Sequence, residues 1–262
     1  MIGRTYDSKA DSFGKWFQSA VKYRLRYYAR SFIYGNPAIW RPAEALLRSE
    51  PPHRSSDFWN QELTGDKSCY LGGTLEVDVR NALTVAVIRR LNPGAKSLLD
   101  VGCAGGTLAT AAFEKGMNAY MGVDISDYAI SQAAQAWLGD ARATFRACDL
   151  YSFDPGSDVR FDAIVFNEVL YYLHVGTAWA QVVRYARYLN PDGVVCVSMK
   201  HDPKSHAIFR GLSKQLELLE STLLQSVDGG LRRKIVVDQR VTTRCLGVFR
   251  PKNGAMSDSA RG

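Results

Sequence analysis

Residues 98–107, Leu-Leu-Asp-Val-Gly-Cys-Ala-Gly-Gly-Thr, carry the densest chemical information in the chain. An apolar run ends at the carboxylate of Asp100 and empties into a turn made of Gly102, Cys103, Ala104, Gly105 and Gly106. With so little side chain there, the backbone can approach a ligand closely, and a following helix turns its free N–H groups toward it. A nucleotide is the natural occupant. The phase of the glycines narrows the choice: a dinucleotide fingerprint needs G-x-G-x-x-G, and here Gly102 is followed by Gly105 and Gly106, which argues against NAD. A second apolar run reaches Asp124 and Ile125 about 20 residues later, the spacing of a carboxylate that grips ribose hydroxyls. A third run, 143–148, ends at Asp149 and Leu150, and a fourth, 161–166, leads into Asn167 and Glu168. Polar groups at four consecutive strand ends define one ligand site.

This series of motifs resembles the class I S-adenosylmethionine-dependent methyltransferases, over roughly residues 75 to 250. The resemblance implies that Asp100, Gly102, Cys103, Ala104 and Gly105 lie under the methionine part of the cofactor. It implies further that Asp124, with Ile125, holds the ribose and that Asp149 and Leu150 frame the adenine. Asn167 then faces the methyl group. Departures from relatives restrict the acceptor. Quinone O-methyltransferases carry Glu-x-x-x-Glu-His after the fourth strand, but here Glu168-Val-Leu-Tyr171 runs into Tyr172-Leu173, so no metal ion is expected. Amino methyltransferases that stack a flipped base follow an Asn or Asp with two prolines and an aromatic, whereas Asn167 precedes Glu168. The run 166–173, Phe-Asn-Glu-Val-Leu-Tyr-Tyr-Leu, is similar to the nodulation-protein-S type of small-molecule methyltransferase, whose members modify an amino sugar.

The implied chemistry is an in-line displacement at an activated methyl carbon, to which the protein contributes mainly alignment. A hydroxyl acceptor would also need a base beyond the ends of strands four and five. Glu168, His174 and His201 are the candidates, with Tyr172 as a hydrogen-bond partner; each has a plainer reading as a helix-start or solvated loop residue. The expectation is a cytoplasmic enzyme acting on an O or N of a small polar acceptor, with a saccharide or its activated or lipid-linked precursor favoured. The alternatives are an RNA methyltransferase and a methyltransferase-fold binding protein without turnover.

The elements that must position these residues follow from periodicity. Leu75, Val79, Leu83, Ala86, Val87 and Leu91 recur at helical spacing and predict a helix covering one sheet face. Helices are expected over 107–115, from Ser126 as N-cap to Trp137, after Thr177, and from about 205 to 225. Two last strands are expected at 235–241 and 244–250, paired antiparallel. Alternating strands and helices imply a Rossmann-like sheet, seven-stranded by the resemblance, mostly parallel with an antiparallel last strand and flanked by helices. Residues 75–252 form this domain, 1–74 a helical cap or lid, and 253–262 a disordered tail.

Composition agrees with one such unit. The chain has 262 residues, 46% of them hydrophobic, and no apolar run long enough to span a bilayer. Its start lacks the apolar core of a secretory signal. Five cysteines without a C-x-x-C pair read as reduced packing residues, which suits the cytosol and disfavours zinc. Residues 1–48 hold nine Lys or Arg against three Asp or Glu, a net +6 within a chain total of +7. Lys15, Lys22, Arg24, Arg26 and Arg30, interleaved with Phe13, Trp16, Phe17 and Tyr28, therefore either attract an anionic partner (acidic substrate, lipid headgroup at a membrane face, or nucleic acid) or form a solvated helix face. Trp59 and Tyr70 lie where a lid or a core aromatic is expected.

Overall fold

The computed structural model describes residues 25, 27–47, 55–65, 69–228 and 240–252. Residues 27–35 are helical. They lead into α1 (Pro37–Leu47), α2 (Ser56–Thr64), the single turn α3 (Cys69–Gly72) and α4 (Leu75–Leu91). The alternating part follows as β1 (Ser97–Val101), α5 (Leu108–Glu114), β2 (Ala119–Asp124), α6 (Asp127–Ala136), β3 (Ala143–Ala147) and β4 (Phe161–Asn167). After a 3₁₀ turn at Leu170–Tyr172 come α7 (Val175–Ala186), β5 (Leu189–Lys200), α8 (Pro203–Gln215), β6 (Leu216–Asp228) and β7 (Arg240–Pro251).

The seven strands form one sheet in the order β3-β2-β1-β4-β5-β7-β6. Five are parallel neighbours, and β7 runs antiparallel between β5 and β6. Strand order reverses between β1 and β4, so their carboxyl ends part and open a crevice. Period-two alternation assigns the faces: Leu99, Ile164 and Phe166 join α7 and α8 in one core, while Leu98, Ala163 and Val165 pack with α4 and α5 in the other. Ser126 caps α6 as expected, its hydroxyl accepting from the Ala129 N–H at 3.0 Å.

Four expectations need correction. The helix at 75–91 exists, but Leu75, Val79 and Leu83 are exposed, and the buried side is Val77, Arg80, Asn81, Thr84, Val85 and Ile88. Polar side chains on that side face the crevice, which an apolar stripe cannot register. The helix from 205 stops at Gln215; Leu216 is extended, and Leu216–Asp228, despite its helix-forming Leu and Glu, pairs with β7 from Leu216↔Pro251 to Asp228↔Arg240. Non-local pairing overrides local propensity here. Of the strand expected at 235–241, only 240–241 is described, and it lies in β7 together with 244–250; the two segments therefore do not pair with each other, and β7 pairs instead with β5 and β6. Finally, His174 rather than Thr177 stands at the N-cap of α7. The basic aromatic helix before residue 25, the side chain of Tyr70 and the tail from 253 lie outside what the structure describes.

Candidate active site

Where β1 ends, the chain turns sharply. Gly102 has φ +78°, and its N–H and that of Cys103 both donate to the Val123 carbonyl, at 2.7 and 3.1 Å. A Cβ at position 102 would fall on Cγ2 of Val169, so the loop after β4 packs directly on this turn. Ala104, at φ +45°, donates its N–H to Asp124 Oδ2 at 2.9 Å, while Oδ1 accepts from Ser126 N–H at 2.9 Å. One carboxylate at the end of β2 thus holds two turns in shape, and each oxygen keeps a lone pair for a ligand hydroxyl. Gly105 serves packing: a Cβ there would strike the Leu71 carbonyl of α3, and the residue does not line the cleft.

Asp100 lies at the floor. It is buried, accepts from Tyr120 Oη at 2.6 Å through Oδ2, and leaves Oδ1 with no hydrogen-bond partner among the described residues. Burial lifts its carboxyl to about 7, against the Tyr120 hydrogen bond, with the Asp124 charge reinforcing and Arg80 opposing. Burial also raises Asp124, against the backbone donors of Ser126 and Ala104. Beyond the end of β3, Asp149 Oδ1 accepts from Tyr151 N–H at 2.7 Å, and the Leu150 carbonyl is held from below by Arg184 and by Tyr185 Oη at 2.9 Å.

The opposite wall is more highly charged. Asn167 donates from Nδ2 to Asn81 Oδ1 at 3.1 Å, and Asn81 in turn donates to Thr107 Oγ1 at 3.1 Å, so β4, α4 and the loop before α5 form one polar chain. Glu168 adopts φ +59°, a left-handed conformation of the kind that concentrates at working sites. Its Oε1 is 3.2 Å from Arg244 Nε and its Oε2 accepts from Tyr171 Oη at 3.3 Å. Burial raises the Glu168 carboxyl, with Arg244 and Arg80 pulling the other way. Arg244 also reaches Glu76, 2.8 Å away. Arg80 is buried, with Nε unpaired among the described residues, and desolvation lowers its pKa. Trp59 of α2 forms the rim, edge-on to Tyr172 with centroids 4.9 Å apart.

One cleft therefore brings together Asp100, Gly102, Cys103, Ala104, Asp124, Ile125, Asp149, Leu150, Asn167 and Glu168. It does not include His174, at the start of α7, or His201, beyond β5. Of the three candidate bases only Glu168 is in place. Arg80, Asn81, Leu63 and Arg244 also line the cleft, and the sequence reading missed all four. The polar side of the helix at 75–91 was a usable signal for the first two; nothing near Arg244 in sequence points to the site.

Residues 99–195 match the family model described as a methyltransferase domain. No curated protein sequence matches the chain. Among solved structures, the N-methyltransferase NodS from Bradyrhizobium japonicum WM9 with S-adenosyl-L-homocysteine shares 20% identity and a TM-score of 0.57, over 73% of this chain and 95% of that one. The [4+2]-cyclase SpnF shares 15% identity at TM-score 0.57, over 76% and 98%. Magnesium protoporphyrin IX methyltransferase (ChlM) from Synechocystis PCC 6803 with bound SAM shares 16% at 0.53, over 74% and 96%. These likenesses agree in the fold, and the matched family segment spans the loop after β1, Asp124, Asp149 and Asn167. Residues 99–195 thus match a methyltransferase domain, and the chain has the fold shared by these S-adenosylmethionine-binding neighbours.

Proposed function

We propose that the protein methylates an O or N of a small, polar, anionic acceptor, with a phosphorylated, nucleotide-activated or lipid-linked saccharide as the favoured class. The observation that carries this reading is Arg80, a buried guanidinium with an unpaired Nε, next to Arg244 and Glu168 in the same cleft as the glycine turn. The charges of Glu168 and Glu76 offset that cation only in part, a buried Nε without an acceptor is costly, and a planar fork fits a carboxylate or phosphate bidentately. NodS, named an N-methyltransferase, adds support by likeness of fold.

S-adenosylmethionine, when bound, supplies an electrophilic methyl group on a sulfonium centre. The residues present fit it: the orphaned Asp100 Oδ1 suits an α-ammonium, Asp124 suits ribose hydroxyls, and Asp149 with Leu150 suits an adenine edge. Asn167, fixed by Asn81, orients the wall beside the acceptor. Glu168 accepts the acceptor's proton at Oε1 or Oε2; burial raises its basicity toward working pH, and Arg244 and Tyr171 hold it in place. Trp59 and Tyr172 offer aromatic surface to a sugar ring. The basic residues of 1–48 draw anionic acceptors, including lipid-linked ones at the inner membrane face of a cytoplasmic enzyme.

Purified chain is incubated with methyl-labelled S-adenosylmethionine and sugar phosphates, nucleotide sugars, neutral oligosaccharides or RNA. Label should enter the anionic sugars, and Arg80→Met should raise their KM at least about 10-fold, the loss of one charged hydrogen bond, with S-adenosylhomocysteine affinity kept. Label confined to neutral sugars or RNA refutes the acceptor class. Cofactor binding with no transfer to any of them refutes the activity.

A further inference from the structure

Outside the cleft, three side chains from three elements converge at the carboxyl end of β5. His201 directly follows that strand and is held to β7 by its N–H, which donates to the Thr243 carbonyl at 2.8 Å. His206 lies in the first turns of α8, whose N-cap is Asp202, and Cys245 is on β7 opposite Met199. Cys245 Sγ is 3.3 Å and His206 Nε2 is 3.4 Å from the same atom, His201 Nδ1. All three donor atoms lie within 4.8 Å of one another. Cys245 is buried and both imidazoles are half-buried, their rings edge-on with centroids 4.3 Å apart.

We propose that His201 Nδ1, His206 Nε2 and Cys245 Sγ bind a zinc ion. A tetrahedral zinc with N and S ligands at its usual bond lengths separates neighbouring nitrogens by about 3.3 Å and nitrogen from sulfur by about 3.6 Å. The 3.4 Å between the two imidazole nitrogens fits that geometry, and Cys245 Sγ, at 3.3 Å, needs to move outward only by a few tenths of an ångström, within the reach of one χ1 adjustment. Hydrogen bonding is a poorer account: His201 Nδ1 carries either one proton or one in-plane lone pair, according to the tautomer, so it fully serves only one of its two neighbours. Two imidazoles and a thiolate are a borderline-soft donor set suited to zinc, and His201-x₄-His206 falls within the H-x₃₋₅-H spacing of known sites. The nearest carboxylate, Asp202, is engaged elsewhere, accepting from Ser205 N–H at 2.8 Å through Oδ1 and pairing with Arg30 at 3.3 Å through Oδ2. Water completes the fourth position.

Binding converts the Cys245 thiol to a thiolate and releases its proton to solvent. The ion then cross-links the end of β5, the start of α8 and β7 one residue from Arg244, a wall of the cleft. Its role is that of a structural clip. The absence of a C-x-x-C pair argues against zinc from sequence alone; these ligands come from separate elements, with 38 residues between His206 and Cys245.

The test uses the untagged full chain, stripped with a chelator and titrated with Co²⁺ as spectroscopic probe, then with Zn²⁺ in competition. One metal per chain is expected, with a thiolate-to-cobalt charge-transfer band that zinc abolishes. Cys245→Ser should lose the band, and His206→Ala should weaken zinc binding by at least the roughly 10–100-fold that loss of an outer-shell partner already costs. Circular dichroism and S-adenosylhomocysteine binding report whether each variant is folded. Zinc-edge X-ray absorption of the wild-type protein, which requires no variant, should show one sulfur and two imidazole nitrogens. No charge-transfer band in the wild type, a band that survives in Cys245→Ser, or a zinc shell without sulfur each overturns the proposal.

Discussion

Replacing Asp100 by Asn tests the electrostatics of the cleft floor. Burial raises this carboxyl from 3.8 to about 7, despite the hydroxyl that Tyr120 donates at 2.6 Å. Because the folded-state value lies above the unfolded one, the folded chain retains a proton that the unfolded chain has lost between about pH 4 and 7. Stability therefore falls as pH rises through that window and levels off above it. At about 1.36 kcal/mol per pH unit, the window from 3.8 to about 7 amounts to ~4 kcal/mol. Asn has the same shape, still accepts from Tyr120 and never ionises. Asp100→Asn should thus match the wild type near pH 4 and exceed its stability by an amount that grows to as much as ~4 kcal/mol at pH 7 to 8. Urea unfolding of both cofactor-free proteins at pH 4, 5, 6, 7 and 8, followed by tryptophan fluorescence, gives the difference directly and cancels the titration of other groups. The same charge should favour a cofactor ammonium, so the variant that gains stability should bind S-adenosylhomocysteine more weakly at pH 8. Wild-type affinity should rise with pH up to about 7 and that of the variant should not. A stability difference that does not vary with pH would refute the reasoning.

Two further outcomes follow from the site. Glu168→Gln should lower kcat by about 10²–10⁴ with cofactor affinity retained, and in the wild type the acid limb of kcat/KM should lie above the ordinary glutamate value, since burial raises that carboxyl; an acid limb at or below that value would contradict a buried base. Gly105→Ala places a Cβ on the Leu71 carbonyl and should cost about 1–3 kcal/mol in stability, so an unchanged melting temperature would show that α3 does not pack on the loop.

The strand-end side of the cleft was legible because it is local. Each parallel strand delivers its last residue to the same sheet edge, so Asp100, Asp124, Asp149 and Asn167 could be placed from strand ends alone. Glycine and cap chemistry was equally readable at Gly102 and Ser126. The acceptor half is assembled from distant pieces. Arg80 and Asn81 are polar residues turned inward on a helix whose apolar residues Leu75, Val79 and Leu83 face outward, the reverse of the usual pattern. Arg244 reaches Glu168 only through β7, and His201 meets Cys245 by the same route. Leu216–Asp228 misled because its composition favours a helix while its partner strand lies further along the chain. Register between distant segments leaves no local trace.

The placement of β7 between β5 and β6 also orders events in time. β6 is made first, yet among the described residues its only neighbour in the sheet is β7. Its 13 residues ladder with β7 as an antiparallel pair from Asp228↔Arg240 outward, and that pair joins the rest of the sheet only when β7 docks on β5. Arg244 arrives at Glu168 and Glu76 in that same docking step. Contacts of such sequence separation close slowly, because the loop entropy must be overcome before any pairing energy is returned. A refolding chain should accordingly acquire its strand-end edge, built from parallel units, ahead of the guanidinium wall opposite. Competence to hold the donor would then precede competence to choose the acceptor.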